Sequence, residues 1–503
     1  MSIQPFSLRL TGIDAVFTYY ASVFGYFSAA VITESTVQSI AGVSGTLLIT
    51  GGEIAAAPGA GTSFTLTIRV NGVNTGHSIT FAGTSTIGTI SGSAVAINAG
   101  DLVVIVSSKT GSPTPGDMYV NINFDSTTTG QYQYGGIVNG TISSAGTRLT
   151  SLFNGSAVLF NASHKSVVAV AGNITGHQFK LNGDPTPATL VAYIDKNGVR
   201  QDGTSGTPDT RVTIGPGQTS GSNTAFSLSV VEGDILELDI ETTGIPTTAR
   251  RAGNAFRFEP TNPSTFIIVG DINASSTPNA GVTAYWPLVN NGPHASNATE
   301  SNVYQRYGNQ ALILQKIYAQ LNLAPGGTNV YTLRQNGQDL IALSSSAASW
   351  NFPLNVNLRA ASLIAMKVLG GTGSLGRTWS YAIAASIGEL PPAAVSTLDS
   401  SGDIVFFQSV TTVNGTVSVV AAVSNRINRI TWQVNYDSAP GTAQIFMEGS
   451  LDNQNWAIID TSTNTAGEIR EFNSSAKFIR VRVGTMDSNR TVTVTTRGKG
   501  KKR

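Results

Sequence analysis

The stretch Ser63-Phe64-Thr65-Leu66-Thr67-Ile68-Arg69-Val70-Asn71-Gly72 decides how the rest of this chain reads. Polar and apolar residues alternate strictly, which places Phe64, Leu66, Ile68 and Val70 on one face of a β-strand. The run stops at Asn-Gly, the strongest short signal for a tight hairpin. Downstream come Val95 to Asn98, a turn at Ala99-Gly100-Asp101, and the apolar strand Leu102-Val103-Val104-Ile105-Val106. Helical periodicity is almost absent throughout.

The same plan recurs twice. Ala188 to Lys196 runs into Asn197-Gly198, and Ser227 to Val231 then meets Glu232-Gly233-Asp234 before Ile235 to Ile240. Thr328 to Arg334 runs towards Asn336-Gly337, and a turn at Ala360-Ala361-Ser362 leads into Leu363 to Val368. Successive Asn-Gly pairs are 126 and 139 residues apart, about one sandwich domain each. In the third copy Ala361-Ser362 stands where the other two carry Gly-Asp. The expected fold is all-β: tandem antiparallel β-sandwiches of jelly-roll-like type, with a smaller C-terminal β-sandwich.

Linkers are expected where composition turns to Thr, Gly and Pro, at 125–150, 259–280 and 388–402, the last containing Pro391-Pro392. The domains are therefore expected as 1–128 (an N-terminal segment plus the first sandwich), 129–262, 263–390, and 400–503 with a basic tail. The last unit reads as one that departs from the plan of the repeats.

Composition narrows the function. The 503 residues include only 12% charged side chains, about half the ~25% usual for soluble proteins, and a net charge of +1. Such a surface does little to keep copies apart, so self-association is expected and nucleic-acid binding is not. The absence of cysteine excludes disulfides, thiolate metal sites and thiol nucleophiles. The N-terminus lacks the pattern of a signal peptide, and no apolar run reaches the ~18 residues of a membrane span.

Few residue groups suggest chemistry. His77, His164, His177 and His294 show no ligand spacing, so no metal or cofactor is expected. Glu237, Asp239 and Glu241 alternate with Leu236, Leu238 and Ile240, so the carboxylates share one strand face, successive pairs roughly 6.6 Å apart. That spacing suits a glycosidase pair or calcium ligands, but an ordinary solvated face is the simpler expectation. The run Gly370-Gly371-Thr372-Gly373-Ser374-Leu375-Gly376 lacks the following helix and lysine of a phosphate loop and reads as a hairpin loop. Trp432 and Trp456, with Asn453, Gln454 and Asn455, form a candidate sugar-stacking hairpin, against core packing of the tryptophans. Phe17, Tyr19, Tyr20, Phe24, Tyr26 and Phe27 crowd the N-terminal segment, either as core or as a docking contact. Arg497-Gly498-Lys499-Gly500-Lys501-Lys502-Arg503 reads as a mobile end or an assembly contact.

The Ala57-Pro58-Gly59 and Ala324-Pro325-Gly326 lead-ins, the alternating strand, Asn-Gly and the late Gly-Asp strand together resemble repeats of bacteriophage head-fibre and tail-appendage proteins. Met447 to Trp456 with Phe478 to Val483 resembles the small discoidin-like sandwiches of such proteins. The resemblance implies a virion structural protein, not an enzyme, that sits as an oligomeric fibre or appendage on head or tail. It implies other virion proteins as partners, a homo-oligomer with a trimer favoured, a host-surface glycan as a possible ligand, and no membrane insertion. The aromatic N-terminal segment is the expected anchor and the C-terminal unit the exposed end. A capsid decoration protein and a bacterial carbohydrate-binding adhesin are the alternatives.

Overall fold

A computed structural model describes residues 2–10, 13, 17–24, 31–152, 165–276, 279–287, 305–306, 311–358, 363–374, 378–388, 397–398, 403–411, 421–423, 427–437, 439–450, 457–473, 475–486 and 491–500. The described residues are almost entirely β-strand, joined into antiparallel sheets. Compact packing groups them into two units: 1–338 with 343–388, and 339–342 with 389–503.

Strand order defines the architecture. In the first sandwich eight principal strands follow one another: Ser2–Leu10, Tyr20–Ser22, Gly45–Ile54, Gly59–Val70, Val73–Gly83, Val95–Ile97, Leu102–Thr110 and Met118–Ser126. Counted in that order, they pair as 1-8-3-6 in one sheet and 2-7-4-5 in the other. This winding is a jelly roll, in which successive strands alternate between two facing sheets except the fourth and fifth, which form a hairpin in one sheet. Phe64, Leu66 and Ile68 are fully buried between the sheets, each contributing roughly 1.5–3 kcal/mol by burial, while Val70 packs at the rim.

The second sandwich repeats that order with Tyr132–Ile142, Gly146–Ser151, Gly172–Leu181, Thr189–Lys196, Val199–Arg200, a split sixth strand at Ser220–Asn223 and Leu228–Val230, Ile235–Thr243 and Arg250–Pro260. The third runs from Thr265–Ser276 to Thr378–Ile387 with the same pairing. Two of the expected linkers are therefore occupied by strands. Tyr132–Ile142 and Thr265–Ser276 are the first strands of their sandwiches, so the true connections are only the short turns after Ser126 and Pro260. Gly135-Gly136 lacks the apolar alternation that would mark a strand, and pairing with Arg250–Pro260 supplies what propensity does not.

The C-terminal unit does not depart from the plan. Asp403–Thr411, Ala421–Val423, Ile427–Tyr436, Ala443–Ser450, Ala457–Ser462, Glu468–Asn473, Phe478–Met486 and Thr491–Gly500 again pair as 1-8-3-6 and 2-7-4-5, with Thr397–Leu398 added in parallel at one edge. Its winding is hidden in the sequence because an Asn-Gly turn no longer joins its fourth and fifth strands. Residues 497–500 of the basic stretch belong to its last strand; 501–503 and Pro391-Pro392 lie outside the described residues.

The three Asn-Gly turns share one hydrogen-bonded clamp. Asn71, Asn197 and Asn336 sit at φ of 50°, 53° and 51°, a left-handed conformation that asparagine tolerates better than most residues. The Asn71 side-chain oxygen accepts from Leu102 N at 2.9 Å, and its backbone N–H donates to Leu102 O at 2.8 Å. Asn197 holds Ile235 at 2.8 Å in both directions, and Asn336 holds Leu363 at 2.9 and 2.7 Å. In the first two copies the side-chain amide also donates to the turn aspartate, Asp101 at 2.8 Å and Asp234 at 2.7 Å. The Gly-Asp element noted in the sequence is thus the second half of the clamp.

Within the first unit the sandwiches are stapled by polar contacts. Gln4 Nε2 donates to Gln133 O at 2.9 Å, and Gln133 N donates back to Gln4 Oε1 at 3.1 Å. Lys180, only 4% exposed, donates to the Gln38 carbonyl at 3.2 Å, and its burial pulls its pKa down to about 8 despite the opposing pull of Glu34. Ile267 N donates to Tyr134 Oη at 2.6 Å, and Glu232 accepts from Lys316 at 3.0 Å and from Tyr318 Oη.

The clamp predicts a graded mutational response. Asn71→Ala loses both the side-chain bonds and the tolerance for positive φ, and is expected to cost roughly 2–3 kcal/mol. Asn71→Gly keeps the backbone conformation and is expected to cost about half as much. Denaturant midpoints of the two variants check this; equal losses would mean that the positive φ contributes nothing.

Candidate functional site

The carboxylates singled out in the sequence converge on the second sandwich. Strand Ile235–Thr243 lies between Thr189–Lys196 and Gly146–Ser151, with Asp195 opposite Glu237, Tyr193 opposite Asp239, and Val191 opposite Glu241. Leu236, Leu238 and Ile240 fill the core as alternation demands. The opposite face is not the solvated surface that the alternation suggested. Glu237 is 5% exposed and Asp239 2%, and only Glu241 remains partly open.

Arg200 explains much of that covering. Its guanidinium donates through Nε to Asp239 at 2.8 Å, reaches Glu241 at 3.2 Å, and lies 4.6 Å from the centre of the Tyr193 ring. The long side chain therefore lies over the face that simple alternation leaves wet. Lys165 stands 3.9 Å from Glu237, at the outer limit of an ion pair. One oxygen each of Asp195, Glu237 and Asp239 is buried without a hydrogen-bond partner. Burial raises the pKa of all three above the ordinary carboxylate range; Lys165 opposes this at Glu237, and Arg200 opposes it at Asp239 and Asp195. Among the described residues no group of three or more His, Asp or Glu is arranged to hold a metal.

The remaining candidates resolve individually. Trp432 is buried in the C-terminal core, 1% exposed, and donates Nε1–H to Asp460 at 2.9 Å, so it offers no face to a sugar. Arg470 grips the same Asp460 at 2.7 and 2.9 Å. Trp456 and Asn453 to Asn455 lie outside the described residues. His77 is buried, accepts from Ile49 N at 2.7 Å and faces Gly92 O at 3.2 Å, which fixes its tautomer. His177 is buried against Phe256, ring centres 4.7 Å apart, and desolvation lowers its pKa to about 4 even though Thr210 O accepts its proton. His164 and His294 lie outside the described residues.

In the glycine run, a Cβ on Gly371 would lie 1.8 Å from Thr328 O. That residue is glycine because two backbones meet there, not to cradle a phosphate. The N-terminal aromatics are largely core: Tyr19 and Phe24 are buried, and Phe24 packs edge-on against Phe6 and Phe124 at 5.3 and 6.2 Å. Phe17 alone of the described aromatics there is open, 51% exposed. Tyr26 and Phe27 lie outside the described residues. Among the described aromatics of the segment, therefore, Phe17 is the one open to a docking contact. Sequence reasoning did not single out Asp195, Arg200 or Lys180; the hairpin register, which follows from Asn197-Gly198, places Asp195 opposite Arg200, and the long-range pairing with Ile235–Thr243 places it opposite Glu237.

Fold and site together define a succession of jelly-roll sandwiches, the second of which carries a sequestered carboxylate cluster. No family model and no curated protein matches the chain. Among solved structures it is similar to the PBSX exported protein XepA, with 11% identity and a TM-score of 0.16, over 46% of this chain and 85% of that one. It is also similar to PNGF-II, with 10% identity and a TM-score of 0.18, over 65% of this chain and 98% of that one. At these values neither likeness carries an argument about activity.

The raised carboxylates fix the sign of a pH effect. Folded Glu237 binds a proton more readily than unfolded Glu237, so its contribution to stability falls as pH rises from about 4 through its raised folded value. Glu237→Gln is expected to raise the thermal midpoint at neutral pH and to lose that advantage on acidification. A variant less stable than the parent at neutral pH would show that the charged form is the favoured one.

Proposed function

We propose that the chain is a structural component of a bacteriophage particle, an oligomeric fibre or appendage on head or tail that contacts the host surface. The observation that carries this reading is the repeated jelly roll whose first three copies are stapled by reciprocal polar bonds such as Gln4 with Gln133. Closed, cross-braced sandwiches in succession suit a part that transmits load and spaces other components. The sparsely charged surface suits permanent association, because little long-range repulsion opposes contact between copies. Other particle proteins and further copies of this chain are the partners, and a trimer is the favoured state.

A non-catalytic role is supported by the state of the carboxylates. Asp239 is sequestered with Arg200, and Glu237 is closed to a polymeric substrate by its burial. The capsid decoration reading shares every one of these features and differs only in where the protein sits.

Two measurements test the proposal on the full chain. Light scattering at micromolar concentration is expected to give the mass of a trimer; a stable, monodisperse monomer would overturn the oligomer. Incubation with host capsular polysaccharide is expected to leave chain length unchanged. Depolymerisation that disappears in Asp239→Ala would replace this reading with an enzymatic one.

A further inference from the structure

The three Asn-Gly turns are also places where the chain can alter its own covalent structure, and they are not equivalent. Glycine has no side chain to shield its backbone nitrogen, which can attack the side-chain carbonyl of the preceding asparagine. We propose that Asn336–Gly337 is a site of spontaneous deamidation in the folded protein, whereas Asn71 and Asn197 are protected.

Protection comes from the clamp. At Asn71 the side-chain amide is held at both ends: its oxygen accepts from Leu102 N at 2.9 Å and its nitrogen donates to Asp101 at 2.8 Å. Asn197 is held in the same way by Ile235 at 2.8 Å and Asp234 at 2.7 Å. Rotation of the amide towards the glycine nitrogen breaks both bonds. The product would moreover set a new carboxylate against an existing one, at hydrogen-bond distance, which is unfavourable.

Among the described residues the Asn336 side-chain amide shows no second hold. Asn336 still accepts from Leu363 N at 2.9 Å, but Ser362 stands in the sequence where Asp101 and Asp234 stand in the others. A cation is also at hand: the Arg334 guanidinium donates to the Gly337 carbonyl oxygen. It favours the negative charge that develops on the Gly337 nitrogen and the carboxylate that finally forms.

The chemistry balances with water alone. The Gly337 nitrogen loses its proton and bonds to Asn336 Cγ, and the Cγ–Nδ2 bond breaks to release ammonia. Water then opens the five-membered imide at either carbonyl, giving aspartate or isoaspartate. The second product adds a methylene to the backbone of a two-residue turn and disturbs the register between Asn329–Gln335 and Gln338–Ser345.

The test is peptide mapping by mass spectrometry after incubating the full chain in mildly alkaline buffer. In the folded protein the one-dalton gain is expected at Asn336 several-fold faster than at Asn71 or Asn197, and in denaturant the three rates are expected to converge. Asp101→Ser is expected to bring Asn71 up towards the rate of Asn336, and Ser362→Asp to slow Asn336. Equal rates in the folded protein, or an Asn336 slower than the others, would overturn the proposal. Persistence of the rate difference in denaturant would also overturn it, because local sequence rather than the clamp would then set the order.

Discussion

The amide of one asparagine in each Asn-Gly turn meets two demands that the jelly roll makes at the same place. A two-residue turn between the fourth and fifth strands requires positive φ at both central positions, which asparagine and glycine accept. The turn must also be fixed against the seventh strand, which begins beside it in the same sheet after the chain crosses from the facing one. Asn71, Asn197 and Asn336 accomplish this with paired bonds to Leu102, Ile235 and Leu363. Because alternate side chains point to opposite faces, this register decides which residues enter the core. Phe64, Leu66 and Ile68 on one strand, and Val103 and Ile105 on the other, are buried together as a consequence.

The C-terminal sandwich reaches the same winding by another route. Asp460 of its fifth strand accepts from Trp432 of the third strand and from Arg470 of the sixth, so one carboxylate joins the two sheets at their edge. The several bonds to that carboxylate outweigh the cost of burying it and hold its pKa low. One fold is thus secured by a neutral amide in three copies and by an ion pair in the fourth.

That contrast explains what could be read in the sequence. The repeated sandwiches were legible because alternation and Asn-Gly are local signals. The fourth copy read as a different unit because its bond between Asp460 and Arg470 has no fixed spacing to search for. Tyr132–Ile142 was mistaken for a linker because its glycines depend on pairing rather than propensity. The buried state of Glu237 and Asp239 was missed for a related reason. Alternation assigns a residue to a face, but a guanidinium brought in by Val199–Arg200 decides whether that face meets water. Trp432 was ambiguous until its partner was known, since a buried indole and a sugar-stacking one share the same sequence context.

Low charge content acquires a physical meaning in this arrangement. Several of the charges that remain are spent in partly buried ion pairs, as Arg200 with Asp239, and Arg480 and Arg482 with Glu448. A chain so sparsely charged is suited to close packing against like surfaces. The proposal that this chain is built into a particle is tested most directly by quantitative mass spectrometry of gradient-purified particles. The account predicts the protein in intact particles at a fixed ratio to the major capsid protein, in a copy number divisible by three. Its absence from particles, with the protein recovered only in the soluble lysate, would contradict the account.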